Sequence, residues 1–185
     1  MRTLADHIQD IAYNSIKGNA KNIELIINFN TLENEFSFKI IDDGDGIPKE
    51  KLEHIFDPFY TTRNKKIRSV GLGLSLLKQN AELAGGSVNL TSKVNIGTTI
   101  SSSFKTDNVD IPEIGDLVST ILALITAKDD LEWNIVIKKG NIEDNISTLE
   151  LKEILGTDIP LNNIQVMDIL KNIIQETFEN LKIIL

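Results

Sequence analysis

The chain has 185 residues, 41% hydrophobic and 25% charged, with no cysteine, which gives room for one domain or one domain with an appendage and excludes disulfides and thiolate metal sites. No apolar run approaches the ~20 residues that cross a bilayer, and Met1-Arg2-Thr3-Leu4-Ala5-Asp6 has no signal-peptide core, so a cytoplasmic protein with no membrane partner is expected. The net charge of −8 falls in the second half: 13 Lys/Arg stand against 12 Asp/Glu over residues 1–105, and 6 against 15 over 106–185, which argues against a nucleic-acid partner.

In chain order, Leu4, Ile8, Ile11 and Ser15 recur at helical spacing, which predicts a helix over 4–16 that Gly18-Asn19 can stop. Residues 22–29 and 36–41 are strand-like, with a hairpin loop at 32–34. Asp42 to Pro48 is a turn cluster, and a short helix over 49–55 is predicted after it. Residues 56–70 read as a loop carrying Arg63, Lys65, Lys66 and Arg68, and a helix opens at Gly71-Leu72-Gly73-Leu74 and runs to Leu83. Segments 87–91 and 98–104 form another strand pair. From 107 the character changes to a linker, an amphipathic helix over 114–125, a hairpin of 131–138 and 142–146, and helices over 148–155 and 164–184. The division expected is 1–106 and an acidic α/β extension, 107–185. In the last helix Met167, Leu170, Ile174, Phe178 and Leu181 make a stripe suited to a core, or to the seam of a homodimer.

Three places carry chemistry. His7, Asp10 and Asn14 share one face of the first helix. That face is either plainly solvated or the wall of a hydrated pocket that holds an ion. Asp42 ends a strand before Gly44 and Gly46, where a carboxylate can accept a hydrogen bond from an exocyclic amine and glycines allow a tight turn and close approach to a flat ring. A calcium loop is excluded, because Ile47 interrupts the series of oxygen ligands. The glycines of residues 71–74 would present helix N–H groups to a phosphate. No Gly-Lys-Ser/Thr follows them, and Leu76 stands where a dinucleotide fingerprint needs its third glycine.

Taken in order, residues 4–104 resemble the ATP-binding superfamily shared by gyrase, the Hsp-type chaperones, histidine kinases and MutL. The likeness is nearest to the histidine kinase catalytic domain. Asp10-Ile-Ala-Tyr-Asn14-Ser-Ile-Lys17 is similar to the N box, which implies that Asn14 holds Mg2+ and Lys17 faces the phosphates. Asp42-Asp-Gly44-Asp-Gly46-Ile47-Pro resembles the first glycine box, with Asp42 on adenine. Residues 55–62, with Phe59, Thr61 and Thr62, resemble the F box; of the four cations Arg63, Lys65, Lys66 and Arg68 after it, one or two are expected to touch phosphate, with Arg63 and Lys65 the candidates, and the others to be solvated. Gly71, Leu72, Gly73 and Leu74 match the second glycine box, and Thr98 the last motif, near the adenine pocket.

The resemblance implies ATP and Mg2+ as ligands and a Bergerat-type two-layer α/β sandwich, with a mixed or mostly antiparallel sheet and helices on one face. It also implies a kinase that passes the γ-phosphoryl to a separate protein or hydrolyses ATP slowly. The hydrolysing branches carry Glu where this chain has Asp10, which is either a shorter base or a ligand of a magnesium-bound water. His7 and His54 both lack a phosphoacceptor context, and no acceptor hairpin is expected before residue 4, so the acceptor expected is another protein. The alternative is a non-catalytic module in which ATP orders a lid and changes a partner surface.

Overall fold

The structure is a computed structural model that describes residues 3–57, 72–156 and 159–183. Helix α1 (Leu4–Lys17) starts at a capping box: Thr3 Oγ1 accepts the Asp6 N–H, and Asp6 accepts the Thr3 N–H. Its apolar positions Leu4, Ile8, Ile11 and Ala12 are all buried. Strands β1 (Asn22–Asn30) and β2 (Glu35–Asp42) form the antiparallel hairpin that their alternation predicts. Helix α2 (Lys49–Leu52) is a single turn, shorter than expected. Helix α3 (Gly73–Leu83) follows, and β3 (Ser87–Lys93) pairs with β4 (Gly97–Lys105).

The second half contributes α4 (Leu117–Ile125), β5 (Glu132–Lys139), β6 (Ile142–Ser147), α5 (Thr148–Leu155) and α6 (Ile164–Asn180). Helix α4 begins three residues later than the apolar pattern suggests. Gly115 has φ +76°, Asp116 caps the helix by accepting the Ser119 N–H, and the Ile114 carbonyl accepts the Ala5 N–H instead of starting a helical ladder. The end of α6 also falls short of the predicted 184, and Lys182 has φ +53°.

The six strands of the described residues lie in one sheet, in the order β3-β4-β2-β1-β5-β6. Every pairing is antiparallel except β1 with β5, which is parallel in the register Ile23 to Trp133 and Leu25 to Ile135. The sheet is thus mixed and mostly antiparallel. Alternation sends Ile23, Leu25 and Ile27, Phe36, Phe38 and Ile40, and Trp133, Ile135 and Ile137 to one buried face beneath the helices. Leu170, Ile174, Phe178 and Leu181 of the last stripe are buried there too. Helix α4 packs on both α1 and α6, so the second half reaches the first through the sheet and through the helical layer.

Candidate functional site

Asp42 stands at the end of β2, where the chain leaves the sheet, and its carboxylate is held from three sides. Oδ1 accepts the N–H groups of Gly44 and Thr98, each at 3.1 Å, and Oδ2 accepts the Ser15 hydroxyl at 2.6 Å. Three elements therefore meet on one side chain: α1, the turn after β2, and the start of β4. The neighbouring Asp43 turns outward. Burial pushes its carboxyl up, but the N–H and side-chain amide of Asn22 and the N–H of Lys21 outweigh that and leave it below its ordinary value.

The glycines of this turn have a structural cause of their own. A Cβ at Gly44 would lie 2.5 Å from the Gly18 carbonyl oxygen. Gly46 has φ +69°, and its Cβ would lie 2.1 Å from the Lys93 carbonyl oxygen. The turn is wedged between the end of α1 and the β3–β4 hairpin, and backbone bonds from Asp45 N to Gly18 O (2.7 Å) and from Asn95 N to Asp45 O (2.8 Å) fasten it. Backbone packing by itself accounts for both glycines, whatever approaches the turn from outside.

Above Asp42 is a cavity of about 100 Å3, with Ile11, Ile47, Leu74, Leu90 and Ile100 as apolar walls and Asn14, Ser15, Asp42, Asp45 and Thr98 as polar groups. Gly18 and Gly46 complete the lining. An apolar slot with few convergent polar groups is the usual form of a small-molecule site. A shallower hollow of about 330 Å3 lies over the opposite sheet face, around Ser37, Lys39 and Ser101, and none of the motif residues named above lines it.

The expected site residues divide into three groups. Asn14, Asp42, Gly46, Ile47, Leu74 and Thr98 are brought together on the cavity, with Gly44 buried beneath the turn. Lys17, exposed in the last turn of α1, and Leu72, at the N-cap of α3, are outside the lining. Gly73 faces Asp10, whose Oδ2 would be 3.4 Å from a Cβ built there, so Asp10 lies against the first turn of α3. Phe59, Thr61, Thr62, Arg63, Lys65 and Gly71 fall outside the described residues.

His7 is fully buried, with Nε2 2.9 Å from the Asn80 side-chain amide, and so joins α1 to α3 away from the cavity wall. His54 is exposed. Sequence reasoning missed Ile11, Ser15, Gly18, Asp45, Leu90 and Ile100 as site residues. Leu90 and Ile100 were readable only as positions in two strands, and Ile11 and Ser15 only as members of the inward stripe of the first helix.

A family model described as "Histidine kinase-, DNA gyrase B-, and HSP90-like ATPase" matches residues 2–108. Sensor histidine kinase YvrG of Bacillus subtilis (strain 168) is 32% identical over 100 residues, 53% of this chain and 17% of that protein. Sporulation kinase D of the same strain is 34% identical over 99 residues, 51% of this chain and 19% of the relative. Signal transduction histidine-protein kinase ArlS of Staphylococcus aureus (strain USA300) is 36% identical over 94 residues, 49% of this chain and 21% of the relative. The chain thus spans about a fifth of the length of these relatives.

A solved structure, "Crystal Structure of N terminal domain of a DNA repair protein", superposes with a TM-score of 0.59 at 17% identity. It covers 80% of this chain and 53% of its own, a likeness of fold alone. The family match contains every motif that meets at Asp42, from the N box to Thr98, and the relatives align over about the same length of chain. The chain therefore belongs to the histidine kinase-, DNA gyrase B- and HSP90-like ATPase family and carries its ATP-binding domain.

Proposed function

We propose that the cavity over Asp42 binds ATP with Mg2+, and that the chain acts as a catalytic domain of the histidine kinase type, passing the γ-phosphoryl to a separate protein or hydrolysing ATP slowly. The observation that carries this reading is the convergence of Asn14, Asp42 and Thr98 on one apolar-walled cavity. Asp42 would accept the exocyclic amine of adenine, with the ring between Ile47, Leu74, Leu90 and Ile100.

The residues fit a magnesium ion held chiefly by phosphate. No cluster of three or more His, Asp or Glu suited to a metal exists among the described residues. Asn14, exposed at the cavity, offers one amide oxygen, and magnesium takes few protein ligands and keeps its waters. When bound, the metal supplies positive charge to the phosphate oxygens. Asn14 orients them, and Asp10 is the candidate to take a proton from an attacking water. The homologous kinases suggest a protein partner, either an acceptor or a second copy of this chain.

One observation favours a second reading, an ATP-gated binding module. Asp10 lies against Gly73 and is not among the residues that line the cavity. Calorimetry with ATP–Mg and ADP–Mg, followed by incubation with γ-labelled ATP with and without cell extract, tests both. Binding with label transfer or slow phosphate release supports the kinase reading, and binding without either supports the module. No binding at millimolar nucleotide would overturn both.

A further inference from the structure

Serine is a poorer helix former than alanine, and within a helix its hydroxyl commonly bonds back to the carbonyl four residues earlier. Ser15, in the last turn of α1 and only 7% exposed, instead directs its hydroxyl at Asp42, 27 residues away in sequence, at 2.6 Å. A hydroxyl has one proton, so the Ser15 oxygen has only lone pairs left for anything else in the cavity.

The same accounting extends to Thr98 through Ser92, which is outside the lining but contacts the Thr98 hydroxyl. Ser92 Oγ donates to the Gly97 carbonyl at 2.9 Å and accepts the Ile47 N–H at 2.8 Å. Its proton is therefore used, and in the 2.9 Å contact between Ser92 and Thr98 the donor is Thr98. Asp42 Oδ1 already accepts two N–H groups, and Oδ2 keeps a lone pair beside Ser15. Ser15, Thr98 and Asp42 thus show the cavity hydrogen-bond acceptors only.

We propose that Ser15 is a positioning residue for base recognition: its hydroxyl fixes the Asp42 carboxylate in the orientation that accepts the 6-amino group of the purine. This rests on the nucleotide reading above. With Ser15 replaced by alanine, Oδ2 loses the bond that sets its orientation, and a water in the vacated space can turn a proton toward the base. The floor then ceases to be acceptor-only, and the amine loses its advantage. A merely structural tie between α1 and β2 would lower stability and weaken every nucleotide alike.

The test is a cycle between this side chain and one group of the ligand. Affinities for ATP–Mg and for purine riboside triphosphate–Mg, which lacks only the 6-amino group, are measured by calorimetry on the full chain and on Ser15→Ala and Ser15→Thr. Thermal melts verify folding of each. Wild type is expected to favour ATP by about ten- to hundredfold, the worth of one hydrogen bond to a charged group. Ser15→Ala should bring that ratio to within about twofold of unity, and Ser15→Thr, which keeps the hydroxyl, should restore it. An unchanged ratio in folded Ser15→Ala overturns the proposal while leaving the nucleotide site standing. Failure of the wild type to bind ATP overturns the nucleotide reading and this inference with it.

Discussion

Asp42→Asn separates recognition from folding better than a truncation does. Alanine at 42 would delete three internal hydrogen bonds, to Gly44, Thr98 and Ser15, and loosen the turn as well as the site. Asparagine keeps an amide oxygen for the two N–H groups, and the Ser15 hydroxyl can rotate to accept from the new NH2. What is lost in folding is charge assistance on the two N–H bonds, about 0.5–1 kcal/mol each at a half-buried site, so stability should fall by about 1–2 kcal/mol. For a chain of this size that is a drop in Tm of roughly 2–8 °C.

The effect on ATP should be larger. The adenine amine would lose an ionic acceptor, worth about 1.5–3 kcal/mol, and would meet a donor whose own desolvation costs about 1–2 kcal/mol more. The sum, about 3–5 kcal/mol, is a loss of roughly two to three and a half decades in affinity. Inosine triphosphate, with an oxygen at position 6, should suffer less, because the NH2 can donate to it. Calorimetry with both nucleotides, beside a melt of each protein, decides the matter. A folded Asp42→Asn protein that binds ATP within threefold of wild type would refute the assignment of Asp42 to the base.

Gly46→Ala combines a left-handed φ with a Cβ 2.1 Å from the Lys93 carbonyl oxygen, so the β3–β4 hairpin must move. A stability loss of about 2–4 kcal/mol is expected in thermal melts, with weakened ATP binding. Thr148→Val keeps the shape of a fully buried side chain but removes the oxygen that accepts the Trp133 N–H at 2.8 Å and donates to Glu132 at 2.6 Å. The unpaired N–H should cost about 1–3 kcal/mol in urea unfolding followed by emission of Trp133, the single tryptophan. Asp116→Ala removes the cap of α4 and should cost about 1 kcal/mol near neutrality. The Ser119 hydroxyl and N–H hold the Asp116 carboxyl below its ordinary value, so its contribution is complete above about pH 4 and is lost as pH falls through the lower folded-state value. Wild type and variant should converge in acid, as melts across pH 2–7 would show.

The elements were legible because each is set by local pattern. Phe36, Phe38 and Ile40 alternate, and Leu4, Ile8 and Ile11 recur with the helix. The meeting of Asn14, Asp42 and Thr98 was legible only through motif order, since no local periodicity relates positions so far apart. Long-range pairing was not legible. Ile23–Ile27 and Trp133–Ile137 both read as half-buried strands, but nothing in either says that they lie side by side in parallel. The face of His7, Asp10 and Asn14 is divided for a related reason. A helix face is continuous in sequence, but its surroundings change along its length: His7 meets Asn80, Asp10 meets the start of α3, and Asn14 meets the cavity. Gly18 reads as a helix stop, yet its carbonyl also accepts the Asp45 N–H and excludes a side chain at 44, which only tertiary structure can reveal.

Helix α1 is gripped at both ends, and the grips come from different halves of the chain. At its start the Leu4 and Ala5 N–H groups, which a helix leaves without internal partners, donate to the carbonyls of Glu113 and Ile114 at 2.8 and 2.9 Å. At its end Ser15 is tied to Asp42, and Gly18 to Asp45. Between these ends α4 packs along it, and Asn14 and Ser15 sit about 15 Å from the first grip at 1.5 Å of rise per residue. A packed helix moves more readily as a body than it bends, and interiors at crystal-like density transmit displacement instead of absorbing it. One packed element thus runs from the 113–116 segment of the second half to the two polar groups that α1 presents to the cavity.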